Sequence, residues 1–155
     1  MDNEERTKRT LLDIGGGTNP HPDATVVVDI HVSEQVRSKL DSIKFVEWNL
    51  EKLPLHFSDK SFDVVYCSHT LEHLRIRPTL VIREMERIAR HLVEIRVPRY
   101  LTELLWRLTG NLNPGPGHVW TFRRKYFLKL GYNVDIRLRK PLFDMEIVAT
   151  KVIGD

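Results

Sequence analysis

The chain is predicted to fold as an α/β domain on a mostly parallel sheet, and three observations carry that expectation. Short apolar runs recur at residues 10–14, 25–30, 43–48, 62–67 and 91–97, bounded by breakers or polar residues, as buried parallel strands are. A helical pattern separates the last two: Pro78 suits a first turn, and apolar residues at 81, 82, 85, 88 and 89 share one face. The first run leads directly into Asp13-Ile14-Gly15-Gly16-Gly17. That loop would lie at a strand's carboxyl end, where open α/β sheets hold their ligands.

Residues 1–9 read as a charged tail and 10–14 as the first strand. Residues 15–24 then connect it to the second strand at 25–30 and include Pro20 and Pro22. A parallel crossover usually takes a dozen or more residues and a helix. An extended loop is expected here instead, with the first helix absent or cut to a turn. Ser33 caps a short helix with Glu34 in its first turn, running to about residue 40. The third strand, 43–48, leads into the loop Asn49-Leu50-Glu51-Lys52-Leu53-Pro54. The turn 58–61 introduces the fourth strand, which runs into Ser68-His69-Thr70-Leu71-Glu72-His73-Leu74. The fifth strand follows the Pro78 helix through Ala89-Arg90 without a glycine turn and closes at Pro98.

Beyond Pro98 a helix is expected over 100–109, with leucines at 101, 104, 105 and 108 and Trp106. A loop rich in glycine and proline over 110–117 leads to His118-Val119-Trp120. A further helix over 122–130 stops at Gly131. Residues 132–138 and 143–152 alternate as an antiparallel pair. Residues 1–155 form a single domain, without repeats or low-complexity segments.

Composition narrows the class. With 155 residues, 41% hydrophobic and 29% charged, the chain can bury a core unaided. No apolar run approaches the roughly 18 residues of a membrane span, and the charged N-terminus has no signal-peptide core behind it. The single cysteine, Cys67, rules out an internal disulfide and suits a reducing cytoplasm. Fifteen arginines against nine lysines and a lone glutamine point to a thermophile. The net charge of +3 is unevenly spread: residues 75–140 hold 15 Lys/Arg against 5 Asp/Glu, the remainder 9 against 16. A basic later half suits a negatively charged acceptor, RNA or another polyanion, although a solvated arginine-rich surface would look the same.

The glycine loop is not a dinucleotide fingerprint, which wants a third glycine where Pro20 stands. Asp13-x-Gly15-x-Gly17-x-Asn19-Pro20, with Val26-Val27-Val28-Asp29 ending in a carboxylate, instead resembles a class I S-adenosylmethionine-dependent methyltransferase of the small, type 11-like group. Leu71-Glu72-His73 after the fourth strand matches that group's consensus too. The resemblance is strong to Arg90 and loose to about residue 150. It implies a Rossmann-like sheet of order 3-2-1-4-5-7-6 with a reduced N-terminal helical layer, and S-adenosyl-L-methionine as cofactor.

Under the resemblance the cofactor-binding candidates are Asp13, Gly15, Gly16, Gly17, Asn19, Asp29, Ile30, Asn49, Leu50, Ser68 and His69. Asp29 would take the ribose hydroxyls, Ile30 and Leu50 would sandwich the adenine, and Asn49 would meet its edge. Asp13 would fix the amides of the glycine loop, or merely cap its turn. Because the cofactor brings the electrophile, no catalytic residue is forced by the sequence. His69 and His118 are candidate proton acceptors, since imidazole titrates near neutrality. The spacing His69-x-x-Glu72-His73 also occurs in zinc peptidases, but there it lies within a helix and has a further ligand. Here it follows a strand, and no metal is expected.

The reaction expected is methyl transfer to an acceptor the sequence does not name. The alternative is a non-catalytic subunit of the same fold that binds a partner protein or RNA. The short first crossover leaves little sequence to cover one sheet face near Leu11, Leu12 and Val26–Val28. An exposed apolar face there predicts a homodimer, or a small partner subunit.

Overall fold

A computed structural model of the chain describes residues 9–39, 42–99, 117–139 and 144–154. The expected helix over 100–109 and all of the following loop but Gly117 lie outside the described residues. Strands β1 (Leu11–Ile14) and β2 (Val26–Asp29) precede helix α1 (Glu34–Lys39), and strands β3 (Lys44–Glu47) and β4 (Phe62–Ser68) follow it. Helix α2 (Pro78–Ile88) runs into β5 (Ala89–Pro98); helix α3 (Arg124–Lys129) precedes β6 (Asn133–Arg139) and β7 (Asp144–Val152). The seven strands form one sheet in the order β3-β2-β1-β4-β5-β7-β6, as expected. β1 to β5 are parallel, and β7 is antiparallel to both β5 and β6.

Local chemistry explains the elements. β1 is buried at every position, as a central parallel strand must be. The connection from β1 to β2 contains no helix, in line with its length and two prolines. Ser33 Oγ accepts the Val36 N–H at 3.3 Å and caps α1. Pro78 opens α2 without a side-chain cap, and Val81, Ile82, Met85 and Ile88 form its buried face. That face packs on Leu12, Ile14, Val65, Val93 and Ile95 in the main core. Deleting one such side chain, Met85→Ala for instance, would cost about 2–5 kcal/mol. The junction at Ala89 is tighter than any turn. The residue that caps α2 already has extended backbone (φ −72°, ψ 136°), so β5 begins there, two residues before the expected 91.

One expectation is corrected. Leu11, Leu12, Val27 and Val28 are all buried within the chain, and no bare apolar face exists at those positions. Leu12 and Val28 lie in the main core with the α2 face, and the loop between β1 and β2 covers Leu11 and Val27. Its Ala24 joins Leu11, Val27, Ile43, Val64 and Tyr66 in a second cluster, and the His21 ring stands edge-on to Tyr66 at 4.7 Å. An extended loop can therefore replace a helix where only a few side chains need shelter. Among the described residues, no helix is long and apolar enough to cross a membrane.

Candidate active site

The chain turns sharply where β1 ends. Gly15 has φ +82° and donates its N–H to the Val28 carbonyl at 2.8 Å, and any side chain there would strike Thr70. Gly17 is fixed by proximity instead: its N–H donates to Asp29 Oδ2 at 2.9 Å, and a Cβ would meet the His31 carbonyl. Asp29 Oδ1 accepts the Ile30 N–H at 2.6 Å. The carboxylate at the end of β2 thus ties the glycine loop to its own strand.

Asp13 serves the loop from beneath. Its Oδ2 accepts the His21 N–H at 2.7 Å, and its carboxylate packs against Gly16. Burial pushes its pKa up to about 6, opposed by the His21 amide and reinforced by the nearby Asp29 charge. Asp13, Gly16 and Gly17 line neither of the two cavities at this end of the sheet; they shape the loop.

Two cavities open above the carboxyl ends of the strands. One, of about 330 Å³, is lined by Gly15, Asp29, Ile30, Asn49, Leu50 and His69 among the expected residues. Ile30 is 62% exposed, a large apolar side chain presented to whatever enters. Asn49 plays its turn role as well, since its Oδ1 accepts the Glu51 N–H at 2.9 Å. The second cavity, of about 430 Å³, is lined by Gly15, Asn19, Ser68 and His69, together with Tyr66 and Arg96. Gly15 and His69 belong to both walls.

His69 holds a left-handed backbone (φ +51°), and its N–H donates to the Arg96 carbonyl at 2.9 Å. Its ring lies between two carboxylates, with Nδ1 3.4 Å from Glu72 Oε1 and Nε2 3.5 Å from Glu146 Oε2. Glu72 is fully buried, and among the described residues neither of its carboxylate oxygens accepts a hydrogen bond. The Glu72 carbonyl accepts the N–H groups of Val119 (2.7 Å) and Trp120 (3.1 Å), and Trp120 Nε1 donates to the Leu74 carbonyl at 2.7 Å. Those bonds bring His118 onto His73, ring centroids 4.6 Å apart.

Sequence reasoning missed several wall residues. Glu51, Thr70, His73 and Leu74 complete the first cavity, and Thr18, Pro20, His21, Pro22, Tyr66 and Arg96 the second. Thr70 and His73 sit beside residues already singled out, so their neighbourhood was a usable signal. Arg96, inside an apolar strand, gave none.

A nearly parallel sheet, a glycine turn after β1, a carboxylate at the end of β2 and a cleft above them define a nucleotide-cofactor α/β protein. A methyltransferase-domain family model matches residues 12–92, more than half of the chain, and the protein belongs to that family. Its cofactor is S-adenosylmethionine and its reaction class methyl transfer. Solved structures share the fold at low identity. Magnesium protoporphyrin IX methyltransferase from Synechocystis, solved with bound SAH, is 16% identical at TM-score 0.66, over 94% of this chain and 74% of that one. The Bacillus subtilis YcgJ protein is 15% identical at TM-score 0.68, over 98% of this chain and 94% of that one. A complex of the Haloferax volcanii Trm112 methyltransferase activator with a methyltransferase gives 15% identity at TM-score 0.65, over 96% of this chain and 84% of that one. A search of curated proteins gives no match.

The residues present fit the cofactor. A side chain at Gly15 would strike Thr70 and one at Gly17 the His31 carbonyl, so the turn admits only glycine there, and Gly15 itself borders the cleft. The first cavity combines a carboxylate, an acceptor for ribose hydroxyls, with apolar walls that suit a base.

Proposed function

We propose that the first cavity takes the adenosine of S-adenosylmethionine, and the second its methionine end and a negatively charged acceptor. The observation that carries this reading is the shared wall: Gly15 and His69 border both cavities, so one ligand can lie across them. Asp29 has two carboxylate oxygens with lone pairs beyond those given to Gly17 and Ile30, enough to accept from ribose hydroxyls. Ile30 and Leu50 supply apolar contact to the base, and the NH2 group of Asn49 meets its edge. Asn19 and Ser68 face the methionine end.

When bound, the cofactor supplies an electrophilic methyl on sulfur. The chain's part is to hold the acceptor in line and keep it there, which alone lowers a barrier by several kcal/mol. His69, standing between Glu72 and Glu146, accepts the acceptor's proton, and the carboxylates stabilise the resulting imidazolium. His118 stands further off, beside His73, and is the weaker candidate for that role. Arg96 in the second cavity and the exposed Arg123, Arg124 and Lys125 supply positive charge for the acceptor.

RNA is the proposed acceptor class. Filter binding of total tRNA and rRNA should fall steeply between 50 and 200 mM salt, as counterion release demands, and labelled methyl from the cofactor should enter the retained RNA. Salt-independent or absent binding would overturn the polyanion reading and leave methyl transfer to small or protein acceptors.

We also infer a partner, either a second copy or a small activator, and residence in the cytoplasm. The edge strand β6, which exposes Ile136 and Leu138, supports the first inference, and the free, buried Cys67 the second. Light scattering showing a stable monomer that methylates alone would refute the partner.

A further inference from the structure

Glu72 is an anomaly that the cofactor does not explain. A fully buried carboxylate without a hydrogen bond is costly, and a native protein rarely keeps one without a use. His69 lies near it, but 3.4 Å without an aligned bond does not satisfy it. Two further imidazoles converge on the same place. One donor atom each from Glu72, His73 and His118 lies within 4.8 Å of the others, close enough for a single ion once the side chains draw in by a fraction of an ångström to about 1 Å. The backbone holds them there, because the N–H groups of Val119 and Trp120 are bonded to the carbonyl of Glu72 itself.

We propose that Glu72, His73 and His118 bind one divalent first-row transition cation beside the cofactor cleft. Two imidazoles and a carboxylate are the donor set of open zinc sites, and nitrogen donors favour the later transition metals over Mg²⁺. His69, with Nδ1 3.4 Å from Glu72 Oε1 and Nε2 3.5 Å from Glu146 Oε2, would support the Glu72 carboxylate from outside the ligand set. Three protein ligands would leave positions open, and His73 lines the first cavity, which sets the site beside the cleft. The sequence pattern could not show this site. His69-x-x-Glu72-His73 lacks its helix, and the third ligand lies 45 residues after His73.

The consequence for the acceptor rests on the cofactor reading above. An open position on such a cation takes an oxygen donor, which favours a hydroxyl acceptor. Its oxygen forms the bond to the methyl carbon, and its proton passes to His69 or solvent. The carbon–sulfur bond breaks with its electron pair left on sulfur. The cation would acidify the hydroxyl, as it acidifies bound water.

The test uses the full-length chain without a histidine tag, stripped with chelator and titrated with ZnCl2 by calorimetry. Elemental analysis after dialysis is expected to show one Zn²⁺ per chain. Glu72→Gln and His118→Ala should each weaken Zn²⁺ by at least the roughly 100-fold that losing a supporting outer-shell group reaches. Binding of S-adenosylhomocysteine to His118→Ala should stay within about threefold of wild type, which separates failure of the metal site from failure of the cofactor reading. Circular dichroism checks each fold; because Glu72 is buried, half-buried His118 carries the decision if Glu72→Gln does not fold. Absent or substoichiometric Zn²⁺ in the wild type overturns the proposal. So does unchanged affinity in His118→Ala, or Mg²⁺ competing with Zn²⁺ at equal concentration.

Discussion

Replacing Asp13 with asparagine should stabilise this protein at neutral pH and do nothing for it in acid. In the folded chain the Asp13 carboxyl titrates at about 6, raised from 3.8 by burial. A raised folded pKa means that the fold holds the proton more tightly than the unfolded chain does. The resulting stabilisation is complete below pH 3.8 and is lost as pH rises through 6. A shift of about two units corresponds to roughly 3 kcal/mol. At pH 7.5 the wild type therefore carries a buried ionised carboxylate at a cost of about that size. Asparagine carries no charge, and its carbonyl oxygen can still accept the His21 N–H that Asp13 Oδ2 accepts at 2.7 Å. For a chain of this length each kcal/mol moves the melting temperature by about 2–4 °C. Asp13→Asn should then melt roughly 6–12 °C above wild type at pH 7.5 and level with it near pH 4, measured by scanning calorimetry on cofactor-free protein. A difference that does not change with pH, or a variant less stable than wild type only at pH 7.5, would refute the argument. Asp13 would then be held charged by a favourable partner.

Other perturbations test other parts of the account. Arg87 donates to the Leu55 and Phe57 carbonyls and to Glu84 and Asp59, pinning the loop after β3 to α2. Arg87→Ala should lose about 2 kcal/mol in urea unfolding, and a loss below about 0.5 kcal/mol would show the network to be solvated ornament. Gly17→Ala drives a methyl group into the His31 carbonyl and should weaken S-adenosylhomocysteine about tenfold or more by calorimetry, with the fold retained; equal affinity would mean that the loop does not shape the site. Met85 is fully buried on α2, and Met85→Ala should lower stability by about 2–5 kcal/mol, measured as a shift in the urea midpoint at unchanged slope.

How much of this was legible beforehand depends on the range of the cause. β1 and β4 could be read because a buried parallel strand is marked by its own apolar run. Gly15 and Asp29 could be placed because the turn and the strand end are local, and the family resemblance supplied their partners. The absent first helix followed from two prolines in a short connection. The covering of Leu11 and Val27 was misjudged because it depends on where His21 and Ala24 land, which only the folded loop decides. Arg96 enters the cleft from β5, far along the chain from the glycines, and no local pattern announces it. His118 meets His73 through hydrogen bonds from Val119 and Trp120, backbone contacts that carry no sequence signature.

The central claim is that the cleft at Gly15 and Asp29 binds S-adenosylmethionine, and calorimetry with S-adenosylhomocysteine tests it most directly. Wild type should bind one equivalent at micromolar affinity. Asp29→Ala, which removes the carboxylate at the end of β2, should bind about 10- to 150-fold more weakly, the equivalent of one charge-assisted contact worth roughly 1.5–3 kcal/mol. Its circular dichroism should match the wild type. No heat at millimolar ligand, or the same affinity with and without Asp29, would contradict the account.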